Sequence, residues 1–518
     1  MKVRLLAQDL DVDLEASLPS NSAELIQDLG LDTVIATMAA GDRYLYHVAE
    51  RAPFQGLRDV GTIRYRQEIL VDLLEHPGLA RELYGLVVAT IEKENRIWGY
   101  SHMSAEALLH RSVAVLEIFV EMLRRLRETA VRERPGLRSA GLTRLFDEIA
   151  AEVSDGYLHE VEAHLKRLHF ADGIHLTAQL GLGNRGVGFV LRRRIRPMTW
   201  RERVGLGDPD TYTWVLPDRD EAGADALARL RGRGVALAAD SLARSTDHIS
   251  GYFARLRAEL AFYICYLNLH AALTARGVAT CIPVARAPGE TATGARRLVD
   301  VALSLSSSNP TIGNDIATTA AGLIVVTGAN RGGKSTFLRS LGQAQLMMEA
   351  GMFVAAEAFE AEIRGKTFTH FRRPEDPSLK SGKFDEELGR LSRIVDAAAP
   401  GSFILFNESF SSTNEREGSE IARQVVHALL DAGVKVAYVT HMFDLADRLR
   451  GEGRGDALFL RAERLADGRR TFRVVPGDPL PTSHGLDIYR RVFGRDIEGA
   501  TPTPAGALGA IDGRAPPP

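Results

Sequence analysis

The chain has 518 residues, a formal net charge of -3, 45% hydrophobic residues and 25% charged residues. That length is too great for one hydrophobic core, so we expect two to four domains of ordinary globular composition. The near-neutral charge excludes a globally basic nucleic-acid binder, so any contact with nucleic acid must come from a local patch or from assembly.

Cysteine usage and hydropathy predict a cytoplasmic protein without a membrane contact. Cys265 and Cys281 lie in apolar surroundings without a CxxC or Cys/His pattern, which predicts buried free thiols in a reducing compartment. The longest apolar stretch, 258–273, is interrupted by polar residues and predicts a buried helix. The N-terminus turns acidic too early for a secretion signal.

Residues 1 to about 295 are predicted to be mainly helical, because apolar residues recur at spacings of three and four. Helix candidates are 64–74, 105–133 and 142–168. The second has one broad apolar face and a length of roughly 40 Å, enough for a lever across a domain. Helical spacing resumes at 222 and runs, with breaks, to about 276.

A β-rich insert is predicted within this helical region, at 173–214. Two short runs, 175–180 and 188–191, have the pattern of strands and flank a turn that is rich in glycine. The insert therefore predicts a small hairpin on an otherwise helical scaffold.

From about residue 294 to 494, short β-branched runs alternate with helical patterns, which indicates an α/β domain. Its apolar run 323–326 is followed by TGANRGGKST at 327–336 and then by a helical pattern. The spacing GxxxxGKS between a strand and a helix is typical of a phosphate-binding loop, because glycines let several N–H groups point into one concavity at a helix N-terminus. A glycine-rich turn without nucleotide is the alternative.

The residue types in this loop predict a nucleoside triphosphate with Mg²⁺. Lys334 can reach the β- and γ-phosphates, and the Ser335 hydroxyl can ligate Mg²⁺. The predicted nucleotide contacts in the loop are Gly328, Asn330, Gly332, Gly333, Lys334, Ser335 and Thr336.

Two later strand runs are predicted to end at the same site. The run 402–406 leads into Asn407 and Glu408. In nucleotide sites with a phosphate-binding loop, residues at the end of such a strand hold the Mg²⁺ shell and orient the attacking water. Asn407 is neutral, so we expect it to act on Mg²⁺ through water and Glu408 to orient the nucleophile. The run 434–439 leads to His441, which can sense the γ-phosphate. A strand-end cap and a surface histidine are the respective alternatives.

These motifs resemble those of the MutS mismatch-repair ATPases, which belong to the ABC-type ATPases. The loop at 327–336 is similar to the family's TGPNMGGKST, and the resemblance covers about 309–494. A weaker resemblance to the start of the family's lever domain covers 31–79. Other family-like segments lie at 310–316, 353–358, 384–388, 411–418, 440–441 and 483–486.

The resemblance implies a fold and an activity. The fold would be an α/β P-loop ATPase domain of ABC type at 296–495, after a mainly α-helical core or lever region at 1–295, with a disordered tail at 496–518. The activity would be Mg²⁺-dependent ATP hydrolysis in a homodimer, with Asn314 against the adenine and with Glu408 and His441 as the catalytic residues. ATP would gate a helical clamp on mismatched or structured DNA in repair or recombination.

Three departures from the family pattern modify this expectation. Asn407 replaces the family's aspartate, which puts the hydrolysis rate in doubt. Gly382 and Lys383 stand where the family's signature has Ser-Thr, and Ser381 is the nearest hydroxyl. No counterpart of the mismatch-reading N-terminal domain is recognised, so we expect recognition of DNA by shape and backbone charge.

DNA contact requires local Lys and Arg clusters that meet phosphates. The best candidate, in the insert, is Arg192, Arg193, Arg194 and Arg196. The other candidates are Arg124, Arg125, Arg127, Arg132 and Arg134, and then Arg229, Arg231 and Arg233. A solvated charged face is the alternative for each cluster. An ATP-switched protein-interaction module and a weakly hydrolysing pseudo-ATPase remain open as alternative functions.

Overall fold

A computed structural model describes residues 2–97 except 11, 14 and 15, residues 104–192 except 172, residues 215–373 except 291, and residues 382–480 except 466–468. Several predicted features lie outside the described residues: Arg193, Arg194, Arg196, Ser381, the motif at 483–486 and the tail at 496–518.

The chain forms two compact units, each assembled from several segments. The first unit comprises Met1–Ala320, Arg339–Thr369 and Ala399–Phe403, and the second comprises Ala321–Leu338, His370–Ala398 and Ile404–Pro518. The predicted domain boundary near residue 295 stays a prediction.

The N-terminal part of the chain is mainly helical, as the spacing of its apolar residues predicted. Side chains of Asp42, Asp59, Ser104 and Ser154 accept hydrogen bonds from backbone N–H groups of the first turn that follows each of them, which fixes where four of the helices begin. The helices are α1 (Ser22–Leu29), α2 (Leu31–Ala39), α3 (Arg43–Arg51), α4 (Val60–Glu75), α5 (Pro77–Arg96), α6 (Ala105–Glu133), α7 (Ala140–Glu152), α8 (Asp155–Leu168), α9 (Glu221–Thr274) and α10 (Val301–Ser306).

Two details of the helical prediction were wrong. The predicted helix 142–168 is two helices, α7 and α8, because Val153 leaves helical backbone angles and Ser154 caps a new N-terminus. The breaks expected within 222–276 do not occur, since α9 is one helix of 54 residues. Its packing against α2, α3, α5 and α6 compensates for the glycines that weaken its local propensity.

The predicted hairpin is confirmed for the described part of the insert. Strands β1 (Leu176–Leu180) and β2 (Gly186–Leu191) pair antiparallel. The hairpin packs on α9 at Gly234, where a Cβ atom would overlap the Leu176 side chain. Leu191 also packs against a small buried core formed by residues of α6 and α9. The hairpin is therefore joined to the long helix by close packing.

Two larger sheets confirm the α/β character of the C-terminal region. The first contains β3 (Val284–Arg286), β4 (Thr293–Leu298), β5 (Asn314–Thr319) and β7 (Ala358–Glu362). The second contains β6 (Leu323–Thr327), β8 (Thr367–Phe371), β9 (Phe403–Asn407), β10 (Lys435–Val439), β11 (Ala457–Arg464) and β12 (Arg470–Pro476). The strand order is β3-β7-β4-β5 in the first sheet and β12-β11-β6-β10-β9-β8 in the second. The remaining helices are α11 (Lys334–Glu349), α12 (Lys383–Ala397), α13 (Glu415–Asp431) and α14 (Phe443–Gly451).

The central strands of the six-stranded sheet are fully buried. β6 pairs in parallel with β10 and with β11, and helices α13 and α14 pack against this part of the sheet. Strands covered on both faces read as continuous apolar runs, which is how β6 and β10 appear in the sequence. Because β6 and β10 are parallel, their carboxyl ends lie at one edge of the sheet, where open α/β folds bind ligands.

The thiol prediction is confirmed in part. Cys265 and Cys281 are both free, but only Cys265 is fully buried. None of the described helices combines the length and the hydropathy that a transmembrane span requires.

Candidate nucleotide site

The loop between β6 and α11 is shaped by glycines that no other residue can easily replace. Gly328 and Gly333 have φ angles of 109° and 93°, in the left-handed region that L side chains disfavour. A Cβ atom at Gly328 would lie 3.0 Å from the Ala462 nitrogen, and one at Gly333 would lie 3.0 Å from the Phe472 carbonyl oxygen. Strands β11 and β12 therefore pack directly against Gly328 and Gly333 and leave no room for a side chain at either position.

Replacing Gly333 with Ala should weaken ATP binding at least about tenfold, because the strained backbone and the contact with Phe472 would displace the loop amides. The strain alone costs roughly 1–2 kcal/mol. Isothermal titration with Mg-ATP measures the effect. Gly455→Ala is the matched control, since its Cβ would meet nothing within 4 Å, and it should bind ATP normally. Equal affinity of the two variants would contradict the prediction.

Lys334 begins α11 and is almost completely buried, at 4% exposure. Its ammonium donates hydrogen bonds to the carbonyl oxygens of Gly328 at 2.8 Å and Ala329 at 3.1 Å. Burial lowers the pKa of Lys334, the Glu408 carboxylate opposes this shift, and the positive charge of Arg470 adds to it. The structure thus encloses a cation within the loop.

Ser335 and Asn407 are brought together although they are far apart in the sequence. The Ser335 hydroxyl donates to the Asn407 Oδ1 atom over 2.8 Å. Asn407 is the last residue of β9, and Ser335 lies in the first turn of α11. The two predicted metal ligands therefore form one pair of neutral oxygen groups beside the loop.

Glu408 follows β9 in an unusual backbone conformation, with φ at 55°. Its N–H donates to the Val439 carbonyl at 2.9 Å, and its own carbonyl accepts from the Ser411 hydroxyl at 2.7 Å. A residue other than glycine pays roughly 1–2 kcal/mol for a left-handed conformation, and such strain concentrates at functional sites. The strain at Glu408 is consistent with a constrained carboxylate near Lys334.

His441 follows the carboxyl end of β10 and is exposed. The preceding Thr440 donates its N–H to the Val326 carbonyl at 3.1 Å, which ties this turn to the end of β6. His441 lines a small crevice together with Thr327 and Gly328. The predicted loop residues and His441 therefore border the same edge of the sheet.

The other predicted nucleotide contacts differ in their environment. Asn330 is exposed at the tip of the loop, Gly332 is buried and Thr336 is half-buried in α11. Asn314 belongs to the first unit, where it begins β5, pairs with Leu298 of β4 and is buried. Its role against adenine stays a prediction.

Sequence reasoning missed Arg470, the first residue of β12. Its charge lies near enough to Lys334 to contribute to the lowered pKa of that lysine. Phe472, two residues further along β12, also contacts the loop region through its backbone. No motif marks β12, and only the pairing of β12 with β11 brings it to the loop.

The arginines of the first and second basic clusters differ in the partners that they contact. Arg192 follows β2, is exposed and donates from Nε to the Thr177 hydroxyl at 3.1 Å. By contrast, the second cluster is ion-paired: Arg124 with Glu162, Arg125 with Glu121, Arg127 with Asp155, Arg132 with Glu82 and Arg134 with Asp147. That pairing favours the alternative of a solvated charged face for the second cluster.

Two models of known protein families match successive segments of the chain. The family model described as "MutS2 N-terminal domain" matches residues 58–276, and the one described as "MutS domain V" matches residues 324–492. The chain belongs to the MutS family. The resemblance to the MutS family that was found in the sequence is thereby confirmed.

Curated MutS proteins are similar to parts of this MutS-family chain. DNA mismatch repair protein MutS of Natronomonas pharaonis is 32% identical over 285 residues, which cover 54% of the chain and 32% of that protein. DNA mismatch repair protein MutS 2 of Haloarcula marismortui is 32% identical over 168 residues, which cover 32% of the chain and 18% of that protein. Endonuclease MutS2 of Thermus thermophilus is 30% identical over 170 residues, which cover 33% of the chain and 23% of that protein. The matched segments thus span less than a third of each relative.

Proposed function

We propose that this MutS-family chain binds and hydrolyses Mg-ATP at the loop 328–336, and that its nucleotide state gates binding to mismatched or otherwise structured DNA. The observation that carries the proposal is the hydrogen bond between Ser335 and Asn407. It joins the phosphate loop to the end of β9, directly before Glu408. The relatives include DNA mismatch repair proteins, which supports the DNA part of the proposal.

Each residue of the site has a proposed task. Backbone N–H groups of the loop and the Lys334 ammonium bind the phosphates, which a helix N-terminus also favours. Glu408 orients and deprotonates the attacking water, and His441 senses the γ-phosphate.

The pair Ser335 and Asn407 fits Mg²⁺, because this cation prefers oxygen ligands and retains several waters in nucleotide sites. When bound, the ion would neutralise negative charge on the phosphates. A neutral amide attracts the ion less than a carboxylate does, so we expect slow turnover.

A homodimer is part of the proposal. Helix α12, at the position of the family's signature segment, exposes the large apolar side chains Leu388 and Val395 at 37% and 47%. Apolar side chains on one helix are suited to burial against a second copy of the chain. Light scattering with and without ATP measures the association.

DNA is proposed to bind at a basic cleft beside the hairpin. The cleft has a volume of about 640 Å³, and its described lining includes Lys166, Arg167 and Arg192 together with His164 and His175. None of the described lining residues is acidic. Such a surface complements the phosphate backbone and carries no base readout, which suits recognition by shape.

Replacing Lys166, Arg167 and Arg192 together with Ala should lower DNA affinity and its salt dependence. Each phosphate contact contributes about 0.9 to the slope of log affinity against log salt, so the slope should fall by about 2 to 3. Fluorescence anisotropy with homoduplex, mismatched and four-way-junction DNA, each with and without ATP, measures both effects.

The matched control removes three ion-paired arginines, Arg125, Arg132 and Arg134, and hence the same number of charges. It should change the slope much less than the cleft variant. Absence of binding to all three DNAs at low salt with ATP would contradict the DNA proposal and favour the protein-interaction alternative.

A further inference from the structure

A buried histidine contacts the turn that follows β9 and contains Glu408. His370, on β8, is fully buried, as is Ser409, the residue after Glu408. The His370 Nδ1 atom lies 2.7 Å from the Ser409 Oγ atom, and its Nε2 atom lies 3.0 Å from the carbonyl oxygen of Glu387 on α12. His370 therefore connects α12 to the turn that follows β9.

The hydrogen bonds define the tautomer of this histidine. A carbonyl oxygen only accepts, so the proton must reside on Nε2 of His370 to bond Glu387. Burial lowers the pKa of His370 to about 4, so the ring is neutral near pH 7 and Nδ1 carries a lone pair. The Ser409 hydroxyl is then the donor, and its single proton is shared between two acceptors, His370 Nδ1 at 2.7 Å and the His370 carbonyl oxygen at 2.6 Å.

The turn held in this way contains two strained residues. Glu408 and Phe410, on either side of Ser409, have φ angles of 55° and 62°. The Ser409 carbonyl accepts from the Tyr438 hydroxyl at 2.9 Å, and the Phe410 ring stacks on the His370 ring with centroids 5.7 Å apart. Strained conformations persist only where surrounding contacts over-determine them.

We propose that His370 is a positioning residue for Glu408: acting through the Ser409 hydroxyl, it holds the strained turn that orients the Glu408 carboxylate. The inference rests on the proposed ATPase function. Without these hydrogen bonds, the turn can relax to ordinary backbone angles and move the carboxylate. A displacement of about 1 Å can cost on the order of 100-fold in rate.

The test separates turnover from nucleotide binding. His370→Leu removes both ring hydrogen bonds, and Ser409→Ala removes the hydroxyl. Each should lower kcat for ATP hydrolysis about 10- to 100-fold and leave the Kd for Mg-ATP within about twofold. His370→Asn, which retains an acceptor near Nδ1, should recover part of the lost turnover.

A double mutant tests whether His370 affects turnover through Glu408. In the Glu408→Gln background, His370→Leu should cause no further loss of turnover, because residues that act as one unit are not additive. The control is His270→Leu, which removes a partly buried histidine that contacts Phe353 in the first unit. This control should retain wild-type turnover.

The outcomes distinguish the two proposals. Wild-type turnover no higher than that of Glu408→Gln would reject the proposed hydrolysis itself. If wild-type turnover is clearly higher, undiminished kcat in His370→Leu and Ser409→Ala would overturn the inference. A parallel loss of ATP affinity, or a further loss in the double mutant, would also overturn it. If His370→Leu does not fold, Ser409→Ala decides alone.

Discussion

Replacing Lys334 with Ala should abolish ATP binding and leave the fold nearly unchanged. The buried ammonium is the cation enclosed by the loop, so its loss removes the main attraction for the β- and γ-phosphates. We expect Kd for Mg-ATP to rise at least about 100-fold, which corresponds to about 2.7 kcal/mol. Calorimetric titration measures the binding.

The fold should survive because the loop conformation depends on its glycines rather than on the lysine. The variant loses hydrogen bonds to Gly328 and Ala329 but also loses the cost of burying a charge, so the free energy of unfolding should change by about 1 kcal/mol or less. Lys435→Met is the matched control, since Lys435 is equally buried at 4% but begins β10, at the other end of that strand from His441. Normal ATP binding by Lys334→Ala would show that the site is assigned wrongly.

Replacing Glu408 with Gln should stop hydrolysis while ATP binding remains. The amide has the shape of the carboxylate and preserves the contacts of the Glu408 backbone with Val439 and Ser411. It cannot accept a proton from water, and a general base contributes about 10²- to 10⁴-fold to rate. Steady-state phosphate release should therefore fall about 100-fold or more, with Kd for Mg-ATP within about threefold.

The control for this experiment is Glu452→Gln, which alters a surface carboxylate paired with Arg423 and His427. It should hydrolyse ATP at the wild-type rate. The comparison also decides the effect of Asn407: equal phosphate release from wild type and Glu408→Gln would identify the chain as a nucleotide-binding pseudo-ATPase.

Local signals in the sequence predicted several elements well. The apolar run 323–326 became β6, which ends at Thr327, and the helix after the loop begins at Lys334. The predicted bounds of α6 also match those observed, because its apolar face repeats over 29 residues and Ser104 caps its start. In each case the pattern lies within one contiguous segment of the chain.

Tertiary packing overrode local signals elsewhere. The glycines within α9 favour breaks, yet the helix is continuous because its neighbours bury one side of it. At Gly234, the missing side chain is what allows Leu176 of the hairpin to approach. The opposite error occurred at Ser154, where a capping side chain divided an otherwise continuous helical pattern.

The sequence by itself determined the glycine loop, the strand before it and the family, since each of these is encoded in contiguous residues. Only the tertiary structure decided which distant residues meet at the site. Ser335 and Asn407 are 72 positions apart, and His370 and Ser409 are 39 apart. These pairs depend on the order in which strands assemble into a sheet. The packing of β12 against the loop depends on it as well. That order results from long-range packing, which no local periodicity encodes.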